Sequence, residues 1–129
     1  MESWFVAGAL LALGLGACGG KQADEPVGNK RAPLTLSGEA AQRWDSLCVT
    51  CHGKTGQGDG PGAAALKPKP RSFSDGAWQA SVTDEHLRKV IIEGGQAVKL
   101  SNLMPPNADL KNKPEVLDQL VRKIRSFAP

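Results

Sequence analysis

Residues 48–52 read Cys-Val-Thr-Cys-His, and the chain holds only three cysteines in all. Two thiols and an imidazole this close admit four chemistries: a local disulfide, half of a zinc site, a redox dithiol pair, or covalent attachment of a haem through two thioethers. Each makes a different demand on the rest of the chain. A disulfide needs an oxidising compartment. A zinc site needs four ligands, and a redox dithiol pair expects a βαβ setting. Haem attachment needs export and a further iron ligand.

Composition narrows the classes. The chain has 129 residues and a net charge of +3, enough for one domain and too little charge to argue for nucleic acid. No basic run is interleaved with aromatics, as a single-strand binder requires. Three Phe, three Trp and no Tyr leave few large residues for a core, and 15 Gly with 9 Pro predict much loop. A small, loop-rich domain of this kind needs a staple, and a buried haem would serve.

The first residues belong to another device. Ser3–Gly20 is uncharged and rich in Ala, Leu and Gly. It is marginal as a spanning helix, which takes about 20 mostly apolar residues, and fits a secretory signal better. It runs into Leu15-Gly16-Ala17-Cys18, which resembles the lipobox of bacterial lipoproteins. That resemblance implies cleavage of residues 1–17 and lipidation of Cys18. The acyl chains would anchor the protein far more firmly than one chain does. Gly19, in place of an aspartate, leans toward the outer membrane. Residues 18–33 are polar and broken by Gly and Pro, and read as a flexible tether leading to a domain over 34–129. With Cys18 lipidated, only Cys48 and Cys51 remain. A disulfide between them would close a tiny loop and stabilise little.

Beyond Leu34 the pattern is helical. Ser37–His52 reads as one helix, with Ser37 as N-cap, Glu39 in the first turn, and Ala40, Trp44 and Leu47 on one face. Gly53–Gly62 is a glycine-rich loop. Its Gly-Lys-Thr is no phosphate loop, because that motif needs a glycine where Cys48 stands. Leu66–Phe73 is Pro-interrupted and extended. Thr83 caps a second helix, with Asp84 and Glu85 in its first turn, a stripe of Leu87, Val90 and Ile91, and Gly94-Gly95 as its stop. Leu100–Leu110 reads as loop. A last helix begins near Pro114 and carries Leu117, Leu120, Val121 and Ile124 at helical spacing. No strand, repeat or second domain is evident, so the expected class is all-α.

This pattern decides between the chemistries. Zinc lacks ligands, because His86, the other histidine, sits between Glu85 and Arg88 on the expected solvent face of its helix, and a redox dithiol lacks its βαβ unit. Haem suits the spacing. Sulfurs three residues apart on one helical turn reach two vinyl groups of one macrocycle, and His52 beside them meets the iron. Met104, the sole methionine after the initiator, lies between helices and is stiffened by Pro105 and Pro106. It is the expected second axial ligand. Met/His ligation raises the reduction potential.

Together these features resemble class I cytochrome c over Ser37–Phe127. The resemblance implies first and last helices that cross around one covalently bound haem c, with Ala40 and Trp44 at the crossing. Lys123 stands where the family places an aromatic. It implies that the Pro61 carbonyl accepts the His52 N–H, and that Arg71 and Trp78 lie near the haem propionates. The function implied is one-electron transfer between redox protein partners on the periplasmic side of the cell envelope, by a lipid-anchored carrier that is not an enzyme. A fixed subunit of a larger oxidoreductase or oxidase is the alternative. A peroxidase-like or gas-sensing protein is another, should Met104 leave the iron easily. Lys67, Lys69 and Arg71, on a stiff segment, are expected to dock an acidic partner.

Overall fold

The computed structural model describes residues 34–129; the expected signal, the lipidation residue Cys18 and the tether lie outside the described residues. Five helices follow in order: α1 (Gly38–Arg43), α2 (Val49–His52), α3 (Gly76–Ser81), α4 (Asp84–Ala97) and α5 (Pro114–Arg125). A π-helical stretch, Trp44–Cys48, joins α1 to α2. Short 3-10 turns occupy Pro61–Ala63 and Ala108–Asn112. Among the described residues there is no strand, so the described chain is all-α.

The first helix departs from its expected register. Ala40 and Trp44 are buried, but Leu47 is 55% exposed. The cause is the π turn, in which the Val49 N–H donates to the Trp44 carbonyl five residues back. The extra residue rotates everything after it relative to an α-helix, so Cys48 and Val49 meet the core in place of Leu47. Ser37 has the extended backbone of an N-cap but caps nothing with its side chain. Its N–H and hydroxyl bond the Gln119 side-chain oxygen at 3.0 and 3.3 Å, tying the start of α1 to α5.

Helix α5 buries the four apolar residues its spacing selects. With Trp44, Phe73, Leu87, Ile91 and Leu110 they form one core. The aromatic partner of Trp44 comes not at position 123 on α5 but in the turn that follows the helix. Phe127 stacks on it at 5.6 Å, while the Lys123 ammonium lies 5.7 Å from the Trp44 ring and 4.8 Å from that of Phe127. The lysine stem covers the rings while its charge gains their faces.

Helix α3 and the Ala108–Asn112 turn were not evident in the sequence. Asp75 starts α3 by accepting the Trp78 N–H at 3.0 Å. The buried Gln79 then donates to the carbonyls of Phe73 (2.7 Å) and Ile124 (2.9 Å) and accepts from Arg125 (2.9 Å), joining α3 to α5. Arg125 continues to Asp84 at 2.8 Å on α4.

A surface clamp closes the other end. The Glu39 carboxylate accepts from Arg43 and Lys113, each at 2.8 Å, and Asp109 pairs with the same two cations. Lys113 and Arg43 hold Glu39 below its ordinary value of 4.5. Such a carboxylate contributes stability that is complete above its unfolded value and is lost as pH falls through the lower folded one. Melting is therefore expected to soften below about pH 4.5. Glu39→Gln should shrink the difference between melts at neutral and acid pH, and added salt should do the same. An unchanged difference would leave the clamp energetically silent.

Candidate functional site

Cys48 closes the π stretch in right-handed helical conformation, and Cys51 and His52 end α2. Both cysteines are free and half-buried, so no disulfide joins them. Burial pushes the Cys48 thiol up to about 11. Redox dithiols work through a depressed thiol, so this environment opposes that chemistry. A neutral thiol remains competent to add across a double bond.

The glycine loop is the C-terminal cap of α2. Gly53 N–H donates to Val49 O (2.9 Å), Gly58 N–H to His52 O (2.9 Å) and Gly60 N–H to Cys51 O (3.2 Å), satisfying carbonyls that a helix end leaves open. The approach needs glycine. A Cβ on Gly60 would meet the Val49 and Thr50 carbonyl oxygens at 2.4 Å. Gly53 itself has φ +77° and ψ 160°, a conformation open essentially to glycine alone.

The ring of His52 is fixed from two sides. It stacks on Phe73 at 4.5 Å with 17° between planes, and its Nδ1 lies 3.4 Å from the Arg71 carbonyl oxygen. A carbonyl only accepts, so Nδ1 carries the proton and Nε2 keeps its lone pair. Burial pushes the imidazole below its ordinary value, against the pull of the Arg71 bond, and so favours the neutral form. This corrects the expectation for Pro61. The partner of His52 is Arg71, because the glycine loop folds the Pro70–Phe73 segment back over α2. Pro61, itself exposed, instead opens a 3-10 turn, where its missing N–H costs nothing.

Arg71 and Trp78 come together here. The Arg71 guanidinium lies 5.6 Å from the Trp78 ring centre and 3.8 Å from Asp75, and Trp78 stacks on Phe73 at 5.7 Å. The basic segment is less free than its sequence suggests. Lys69 donates to the Ala63 and Ala64 carbonyls at 2.7 and 2.8 Å, so its charge caps a turn.

Met104 is held by α4. Its carbonyl accepts the Gly95 N–H at 3.0 Å, and the Asn107 main-chain and side-chain N–H groups both donate to Ile91 O at 3.0 and 3.1 Å. The loop is thus fastened at both ends to the kinked end of α4. Asn107 was not singled out in the sequence; a polar residue directly after Pro105-Pro106 was the available signal. The Met104 backbone bonds to α4 and not to the motif. His86 is exposed on the first turn of α4. Two shallow grooves among the described residues are bordered by Leu36, Trp44, Val49, Lys54 and Lys123, and by Gly76, Gln79 and Arg125, and neither of these two is lined by His52 or Met104.

Among the described residues no group of three or more His, Cys, Asp or Glu side chains is placed to hold a metal ion, and no helix is long and apolar enough to cross a membrane. No family model matches the chain, and no curated protein matches it.

Proposed function

We propose that residues 34–129 form a class I cytochrome c domain that carries one electron between redox protein partners in the bacterial cell envelope, on the periplasmic side, tethered by lipid at Cys18. One observation carries the reading: two free thiols share a helical turn directly before a histidine whose Nδ1 is committed to a main-chain carbonyl. The residues fit haem c. Cys48 and Cys51 would hold it, each sulfur forming a bond to one vinyl carbon while its proton goes to the other carbon, with no oxidant needed. His52 Nε2 and the Met104 thioether would ligate its iron. A haem held this way supplies a one-electron ferric–ferrous couple. The chain's part is to keep His52 neutral and oriented, and to present Met104 from a stapled loop. With both of those ligands supplied by the chain, the iron would have no place for substrate, so the proposal is a carrier and not an enzyme. Membership of a larger oxidoreductase complex is compatible with the same site.

Acid–acetone extraction tests this directly. The haem is expected to stay on the polypeptide, and Met104→Ala to abolish the weak near-red sulfur-to-iron band of the ferric protein and admit carbon monoxide to the ferrous one. Haem passing into the organic phase would overturn the proposal. Ready carbon monoxide binding by the unmutated protein would favour the gas-sensing or peroxidase-like reading.

A further inference from the structure

We propose that Arg71 is a positioning residue for His52: its carbonyl holds the Nδ1 proton, and its guanidinium, laid on Trp78, keeps that carbonyl in place. The inference rests on the reading of His52 as an iron ligand. Four planar groups follow one another from the motif to the surface. The His52 ring lies on Phe73 at 4.5 Å, Phe73 on Trp78 at 5.7 Å, and Trp78 under Arg71 at 5.6 Å. The main chain of Arg71 then returns to His52 Nδ1 at 3.4 Å, closing the circuit.

The segment between these groups has little freedom. Phe73 N–H donates to Gly56 O at 2.6 Å, and a Cβ on Gly58 would meet Pro70 O at 2.4 Å, so both flanks of Arg71 lie hard against the glycine loop. Phe73 O accepts from the buried Gln79 at 2.7 Å. Asp75 accepts the Trp78 N–H at 3.0 Å and faces Arg71 at 3.8 Å, fixing indole and guanidinium to each other. The remaining freedom is rotation of the Arg71 peptide, which the Trp78 contact limits from the side-chain end.

The consequence is electronic. A carbonyl on Nδ1–H makes the imidazole a stronger donor through Nε2. Stronger donation favours ferric iron and lowers the reduction potential. Arg71 itself is an awkward residue to test by potential alone, because removing its charge lowers the potential while losing the bond raises it. Trp78 carries no charge, so Trp78→Leu tests the positioning effect without a change of charge.

The measurement is solvent exchange of the His52 Nδ1–H in the ferrous, diamagnetic holoprotein, with the midpoint potential recorded alongside. Trp78→Leu is expected to speed exchange roughly tenfold, the scale of one ordinary hydrogen bond, and to raise the potential, with Trp78→Phe restoring both. A folded Trp78→Leu protein with unchanged exchange and potential would overturn the proposal. Should that variant not fold, Arg71→Leu at an exposed side chain gives the same exchange reading. In a protein found to hold no covalent haem, faster exchange in these variants would uphold the clamp while the haem reading fails, and unchanged exchange would overturn the clamp as well.

Discussion

Replacing Gly94 by alanine is expected to destabilise the domain by roughly 3 kcal/mol and to dislodge the backbone that carries Met104. Gly94 has φ +78° and ψ 171° within α4. That region is essentially closed to residues with a Cβ and costs about 1–3 kcal/mol where one is forced into it. Space is denied as well. The new Cβ would meet Met104 O at 2.8 Å, Pro106 N at 2.9 Å and Pro105 C at 3.2 Å. All three are main-chain atoms of a Pro-Pro segment that cannot rotate away, so the whole loop must lift. Gly38 is the control. It too has positive φ, +52°, but nothing lies within 4 Å of its Cβ position. Gly38→Ala should therefore cost only the conformational part, about 1–2 kcal/mol. Denaturant unfolding of both variants checks the argument. Equal losses would show that the Met104 contact carries no energy. On the proposed haem reading, Gly94→Ala should also weaken the sulfur-to-iron band that Met104→Ala is expected to abolish.

A second large loss is expected at Trp44. Trp44→Ala should cost about 3–5 kcal/mol, the range for emptying a buried aromatic site. The indole is 4% exposed. It stacks on Phe127, lies 6.4 Å from Phe73, and shares the Lys123 ammonium with Phe127. The Ser37–Gln119 bonds, which tie the start of α1 to α5, oppose closure of such a gap. With about 4–8 °C per kcal/mol for a domain of this size, melting should fall by at least about 12 °C. Trp44→Phe should recover much of the loss, while Lys123→Met, which keeps the stem over the rings, should cost little. A small effect of Trp44→Ala would mean that the contact between first and last helices is not what holds the fold.

Local order along the chain set a good part of this protein. The four-residue stripe of α5 and the Thr83 cap, whose hydroxyl accepts the His86 N–H at 3.1 Å, are written in neighbouring residues, and so is the break at Gly94, although it kinks α4, which runs on to Ala97, and does not end it. Each is decided by backbone conformation and apolar spacing over a few positions. The thiol–thiol–imidazole spacing of 48–52 is local in the same sense, and so was legible. What the sequence could not supply were partners brought from a distance. Leu47 faces solvent because a π turn rotates it, and nothing in its own neighbourhood distinguishes that turn from an α-helix. Arg71 O, and not Pro61, meets His52 because the glycine loop folds one segment over another, a choice made by amides of Gly56, Gly58 and Gly60 acting together. Lys69 looked like free surface charge until a turn placed two carbonyls beside it. Gln79 looked like an ordinary polar residue until Phe73 and Ile124, 6 and 45 residues away, turned their carbonyls toward it. Hydrogen-bond acceptors on the main chain carry no residue signature, so only the closed tertiary structure decides which side chain they meet.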